Sequence, residues 1–350
     1  MSDAAPHGAS GAVLTSATPY AGLTPHAVLD ALDAVGLRGD GRILQLNSYE
    51  NRVFQVTLED GPVVVAKFYR DQRWSDAQIL EEHAFARELS AAEIPLVAPL
   101  SLTVAADHTE VLGEHATLAK HAGWRFAVAP RCAGRAPELE SPETLQWIGR
   151  FLARIHQVGQ LRPFEHRLRI DGTAIARASA DWLIEQQLMP PGTEGGWHRM
   201  ALRALDRADV LFEQAAGWQS IRLHGDCHVG NLLWREDGPH FVDLDDACSG
   251  PSIQDLWMLI GGDRAERTAQ LAELVDGYEQ MRDFDRRELP LMEALRTLRI
   301  IQHSAWIARR WGDPAFPIAF PSFESPAYWS QQTTLLAEQL EAMEEPGLFV

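Results

Sequence analysis

The sequence predicts an α+β chain folded as two lobes, a small antiparallel sheet followed by a mainly helical part. Three observations predict this. Short apolar stretches and a hairpin turn crowd residues 43–69, and the stretch from Pro130 to Pro142, with Gly134 and Pro137 inside it, interrupts the pattern. Beyond it, almost every apolar repeat has the helical period. At 350 residues, 46% of them hydrophobic, the chain exceeds the size at which a single core stops growing. The expected division is an N-terminal lobe over 21–130 and a C-terminal lobe over 131–350.

Residues 1–20 are rich in Ser, Ala, Gly and Pro and poor in large aliphatics, a composition that predicts a disordered tail. Thr24 and Pro25 open a helix to about Val35, with Pro at the first helical position. Ile43–Leu46, Arg52–Leu58 and Val63–Tyr69 alternate as strands, the last two joined at Glu59-Asp60-Gly61. Ser75 caps a helix to about Ala91, with Ile79, Phe85 and Leu89 on its apolar stripe. Val97–Leu102 and Arg125–Val128 are expected to complete the small sheet.

In the second part, Ser141-Pro142-Glu143 opens a helix to about Val158. Helical patterns follow over 174–187, 197–215, 253–259, 264–281, 286–311 and 327–344. The 286–311 segment carries Leu289, Met292, Leu295, Ile300, Ile301 and Trp306 around much of its circumference, which predicts burial. Trp306, Trp311, Trp329 and Phe316 are expected as core or lid aromatics, a wall for a bound acceptor being the alternative.

Charge and cysteine content narrow the function. With 31 basic against 49 acidic side chains, net −18, the balance argues against nucleic acid or an anionic membrane as the main partner, because such affinity comes from clustered Lys and Arg; solubility is the plain reading of the charge, and long-range attraction of a basic protein substrate the alternative. No apolar run approaches the roughly 18 to 20 residues that span a bilayer, and the N-terminus lacks the segments of a signal peptide. Three widely spaced cysteines do not make a disulfide framework. A cytoplasmic enzyme is expected, with a monomer as the working assumption.

The most informative string is Leu223-His224-Gly225-Asp226-Cys227-His228-Val229-Gly230-Asn231, followed by Val242-Asp243-Leu244-Asp245-Asp246. Asp226 and Asn231 lie five apart on a loop between the apolar runs 221–223 and 232–234, and Phe241-Val242 delivers Asp243 on a further short strand. A carboxylate that accepts a hydroxyl proton, with an amide oxygen and a second carboxylate as hard donors for Mg²⁺, is the equipment of phosphoryl transfer. Asp226 is the expected base; Asn231 and Asp243 are the expected metal ligands. Two rival readings stand beside this one: Asp and Asn as turn formers, and a zinc site from His224, Cys227 and His228 that lacks a closing partner.

These strings resemble the catalytic and metal-binding segments of the aminoglycoside phosphotransferase-like kinases, a group that also holds choline and homoserine kinases. LNSYENRVFQV (46–56), VVAKFYR (64–70), ILEEHAF (79–85), RLHGDCHVGNLLWR (222–235), FVDLDDACSGPSIQDLWML (241–259) and RRWGDPAFP (309–317) together resemble a narrower family. That family is the bacterial stress response kinase A, a serine/threonine protein kinase. The likeness runs from about Leu23 to the C-terminal helices.

The resemblance implies a two-lobed, protein-kinase-like fold, ATP as co-substrate with Mg²⁺, and protein acceptors that include the kinase itself. It implies that Lys67 clamps the α- and β-phosphates, although an edge-guarding lysine is the plainer reading. Glu82, with Glu81 as the alternative, would hold Lys67. Ser48 would cover the phosphates or cap a turn, and Phe126–Arg131 would be the segment whose backbone meets adenine. Asp255 would fasten the catalytic loop, or serve as an ordinary first-turn acid.

Two departures from protein kinases are visible. Gly225 stands where they carry an arginine that binds an activation-loop phosphate, and residues 46–52 contain no glycine. The acceptor is the open question: a small-molecule hydroxyl kinase would share every catalytic residue, and a nucleotide-binding pseudokinase would keep the fold without turnover.

Overall fold

The computed structural model describes residues 19–350. Residues 1–18, most of the expected tail, lie outside the described residues. Tyr20, at the end of that stretch, is packed: its hydroxyl donates to the Glu50 carbonyl at 3.0 Å and its ring stacks on Trp124. The chain then forms α1 (Pro25–Asp33), whose first turn is capped by the Thr24 side chain accepting from the Ala27 amide.

Three strands follow, β1 (Gly39–Leu46), β2 (Arg52–Leu58) and β3 (Val63–Phe68), then α2 (Asp76–Ala91) and β4 (Thr109–Leu112), β5 (Leu118–His121) and β6 (Trp124–Pro130). Ser75 and Gln78 cap α2 reciprocally. The six strands form one antiparallel sheet in the order β1-β2-β3-β6-β5-β4. Lys67 is paired to Val53 on one side and Ala127 on the other, so it lies on an interior strand, and the edge-guarding reading fails. Val28, Leu32, Val56, Val64, Phe68, Phe126 and Val128 make the core beneath.

The segment 97–102 is not the strand that its residues suggest. It is fixed by single hydrogen bonds, Val97 N to Phe241 O (3.1 Å), Leu100 N to Val128 O (2.8 Å) and Leu102 N to Ala116 O (2.7 Å). Pro95 and Pro99 have no amide hydrogen to give, so no ladder can form there. The sheet is completed instead by β4 and β5, four-residue strands without an alternating apolar pattern.

The second lobe begins with α3 (Pro142–Gly159), α4 (Ala174–Glu185) and α5 (Glu194–Gln214). Short strands β7 (Ile221–Leu223), β8 (Leu232–Arg235), β9 (Gly238–Phe241) and β10 (Cys248–Gly250) carry the motifs, with β7 paired to β10 and β8 to β9. The helices α6 (Ile253–Trp257), α7 (Arg264–Glu279), α8 (Leu291–Arg309), α9 (Ala315–Ala319) and α10 (Pro326–Ala342) complete the chain. The helix expected over 286–311 is divided: Arg286–Glu288 forms one 3-10 turn, and α8 starts only after Pro290, which cannot donate within a helix.

The larger core gathers Ile148, Leu152, Trp197, Leu274, Ile301 and Trp329, all essentially solvent-free. Burying each large side chain contributes about 1.5 to 3 kcal/mol. Phe85, Leu89 and Ile94 belong to this core, so α2 packs its second half against the C-terminal lobe. Trp329 and Phe316 are buried, while Trp306 and Trp311 are partly covered at the core's margin. α3 and α7 approach closely at Gly149, where a Cβ would collide with the Leu274 carbonyl oxygen. Among the described residues no helix is long and apolar enough to cross a membrane.

Candidate active site

The loop that carries Asp226 is shaped from below by Asp255 near the start of α6, which is fully buried. Its Oδ2 accepts from the His224 amide (2.8 Å) and its Oδ1 from the Gly225 amide (2.8 Å). Burial lowers the pKa of His156, so this neutral imidazole donates from Nε2 to Asp255 (3.0 Å) and takes the Tyr278 hydroxyl at Nδ1 (2.9 Å). Burial alone would raise the Asp255 carboxyl, yet the hydrogen bond from His156 and the backbone donors hold it below its ordinary value. Asp255 is thus a backbone anchor, and the reading as a mere first-turn acid fails.

Gly225 has φ of +86°, and a Cβ there would collide with the Asp246 carbonyl oxygen. No arginine fits at this position. His224 turns its Nε2 to the Val242 carbonyl (2.9 Å), tying the loop to the strand end that carries Asp243. Burial pushes the Cys227 thiol well up, keeping it protonated. Among the described residues no group of three or more His, Cys, Asp or Glu is placed to hold a metal, so the zinc reading gains no support.

Asp226 follows, its side chain one-fifth exposed. Its Oδ1 accepts from Arg299 Nη1 of α8 at 2.7 Å, and its Oδ2 lies 3.5 Å from His228 Nε2. Asn231 donates from Nδ2 to the Asp226 carbonyl (2.9 Å), which leaves its Oδ1 as the group able to ligate. The β8–β9 hairpin then brings in Asp243, which adopts a left-handed conformation (φ 61°, ψ 68°) rare for a residue with a side chain.

Asp243 Oδ1 accepts from Lys67 Nζ at 2.8 Å, joining the two lobes. Lys67 also lies 3.6 Å from Asp245 Oδ1. Burial would lower the lysine's pKa, but the two aspartates hold it well above its ordinary value. Asp245 is buried and draws Arg73 (3.0 Å) and the Asn51 amide (3.1 Å); burial opposes its ionisation, and Lys67 with Arg73 more than offsets this.

Glu82 faces the interior, and Glu81 does not pair with Lys67. The Glu81 carboxylate accepts instead from the backbone amides of Glu165, His166 and Arg167. No Glu82 oxygen comes within 4.0 Å of Lys67 Nζ. Burial raises the Glu82 carboxyl to about 7, whereas Asp243 and Asp245 are the nearer anions, so the lysine pairs with them. Ser48 is half-buried in the β1–β2 loop, and its hydroxyl has no hydrogen-bond partner among the described residues.

Sequence reasoning missed Asp245, Arg299, Arg73, Glu50 and Asn51. Asp245 and Asp246 stand in the quoted VDLDD string, and only their burial separates their roles: Asp245 is covered, Asp246 largely open.

The geometry agrees with the comparisons. Residues 42–291 match the phosphotransferase enzyme family. The chain is 43% identical over 330 residues to stress response kinase A of Salmonella choleraesuis (strain SC-B67), covering 93% of this chain and 95% of that protein. It is 42% identical, with the same coverage, to the serine/threonine protein kinase RdoA of Salmonella typhimurium (strain LT2). Amicoumacin kinase, solved with AMP-PNP and Ca²⁺, superposes with a TM-score of 0.66 at 19% identity, covering 91% of this chain and 92% of that one; it shares the fold. The chain belongs to the phosphotransferase enzyme family and, within it, to the stress response kinase A proteins. It is an ATP-dependent phosphotransferase.

Proposed function

We propose that this chain is an ATP- and Mg²⁺-dependent serine/threonine protein kinase of a bacterial stress response, working as a cytoplasmic monomer. The observation that carries the reading is the convergence of Lys67, Asp243 and Asn231 on the lobe interface beside Asp226. The name of the Salmonella typhimurium relative supports a protein acceptor, and the unpaired state of all three cysteines suits a reducing compartment.

Each residue has a chemical task in this reading. Asp226 accepts a hydrogen bond from the acceptor hydroxyl and takes its proton as the new phosphorus–oxygen bond forms and the bond to ADP breaks. Lys67 sets a fixed positive charge against the phosphates. Asn231 and Asp243 offer one amide oxygen and one carboxylate, a hard donor set that suits Mg²⁺, which takes the rest of its shell from phosphate and water. The bound ion would neutralise phosphate charge. Ser48 offers a hydroxyl with no protein partner among the described residues, at the turn that would cover the phosphates, and residues 126–131 offer backbone to adenine.

The test is transfer from γ-labelled ATP, with Mg²⁺, to the chain itself, to lysate proteins and to a panel of amino sugars, choline and homoserine. Label on serine or threonine of proteins is expected. Label confined to a small molecule would move the acceptor class, and absence of any transfer would sink the kinase reading.

A further inference from the structure

The string 309–317 is remote in sequence from the catalytic motifs, yet the fold brings it against the β1–β2 loop. Glu50 is buried in that loop, and its Oε2 lies 2.6 Å from Trp306 Nε1, 2.6 Å from Arg310 Nε and 3.2 Å from Arg73 Nη1. Its Oε1 lies 3.1 Å from Arg70 Nε, and the same guanidinium donates to the Glu50 and Tyr49 carbonyls at 3.0 and 3.1 Å.

Asp313, also buried, accepts from Arg70 Nη2 at 2.7 Å and from Arg52 Nη2 at 3.3 Å. Phe316 is fully buried behind it, its ring centroid 4.9 Å from Trp306 and 6.3 Å from Tyr49. Arg52 starts β2, and Arg70 lies two residues past the end of β3, the strand that carries Lys67.

We propose that Glu50, Arg310 and Asp313 are positioning residues for nucleotide binding, forming a clamp by which the segment after α8 holds the β1–β2 loop and the β3 end at a fixed height over the lobe interface. The proposal rests on the reading above that this loop covers the nucleotide phosphates. Its physical basis is the absence of glycine in residues 46–52. A glycine-rich loop closes on phosphates by backbone freedom, but a loop of bulky residues keeps its place only if something else fixes it. Here buried carboxylates and guanidiniums do so, reaching across 243 to 261 residues of sequence.

The experiment measures AMP-PNP affinity with Mg²⁺ by calorimetry, the KM values for ATP and for the protein acceptor, and the melting temperature, in wild type, Asp313→Asn and Trp306→Phe. Asp313→Asn should weaken AMP-PNP binding and raise the KM for ATP by about 10- to 100-fold, with the acceptor KM unchanged. Trp306→Phe, which removes only the indole donor to Glu50, should move both in the same direction by a smaller factor. It carries the test alone if the first variant does not fold. Wild-type AMP-PNP affinity in the folded variants, with or without a lowered melting temperature, would overturn the clamp. Calorimetry needs no acceptor, so the clamp is read even if wild type transfers no phosphate, a result that would sink the kinase reading instead.

Discussion

The loop that carries Asp226 and the loop over residues 47–51 are fastened differently. The first is anchored within its own lobe by Asp255, His156 and Tyr278, all buried, through hydrogen bonds to its amides. The second is anchored across the lobes by Glu50, Arg70, Arg73, Arg310 and Asp313, mostly through charge pairs. The difference separates two properties. In the proposed reading the base, Asp226, is set by the folding of one lobe, whereas the β1–β2 loop depends on how the two lobes meet.

The comparison breaks most severely at Asp255. Asp255→Ala strands two buried amides and an imidazole, at roughly 1 to 3 kcal/mol for each unpaired group. Thermal melts should show a large loss of stability, and turnover should fall with it; an unchanged melting temperature would mean that the loop is held by something else.

The proposed metal ligands come next. Asp243→Ala removes a carboxylate donor and the nearest partner of Lys67, and Asn231→Ala removes one neutral oxygen. Both should raise the Mg²⁺ needed for half-maximal turnover, Asp243→Ala by the larger factor. Identical Mg²⁺ titrations for wild type and both variants would return these residues to the role of turn and strand-end groups.

Ser48→Ala sharpens the contrast on the nucleotide side. Because its hydroxyl bonds no protein group among the described residues, the melting temperature should stay put while the KM for ATP rises or turnover falls, by the roughly 0.5 to 1.5 kcal/mol of a neutral hydrogen bond, or up to about 3 if the bond is to charged phosphate. A lowered melting temperature with unaltered kinetics would assign Ser48 to the turn.

The smallest effect is on pH dependence. Burial raises the Glu82 carboxyl from 4.5 to about 7, so between those values the folded chain keeps a proton that the unfolded chain has released. Stability therefore falls as pH rises through that window and is level above it. Glu82→Gln should flatten the fall by an amount on the order of a few degrees in melting temperature. Glu288, pushed up to about 7 for the same reason, should keep the remainder. An unaltered slope would show that Glu82 titrates normally.

What could be read from the sequence follows the range of each signal. Caps at Thr24, Ser75 and Ser141 and the helical periods placed most helices, because these signals act within one or two turns. The strand expected over 97–102 failed because its apolar residues were given more weight than Pro99 within it and Pro95 just before it. Pro290 divided the segment 286–311 for the same physical reason. The sequence offered Asp226, Asn231 and Asp243 as candidates because they stand in two short strings, and the structure places Asp226 and Asn231 on one loop and Asp243 just after β9. The partners of Glu50, Asn51 and Asp226 were not legible, since Arg310, Asp245 and Arg299 come from elements 73 to 260 residues away, a separation no local pattern encodes.

The central claim is that Asp226 performs the chemistry while the nucleotide is held independently of it. The most direct measurement is single-turnover transfer from γ-labelled ATP by wild type and Asp226→Asn, with AMP-PNP affinity determined on the same preparations. The expected result is transfer lowered by about 10²- to 10⁴-fold with affinity within about twofold of wild type. Undiminished transfer by the variant, or binding and transfer lost in proportion, would contradict it.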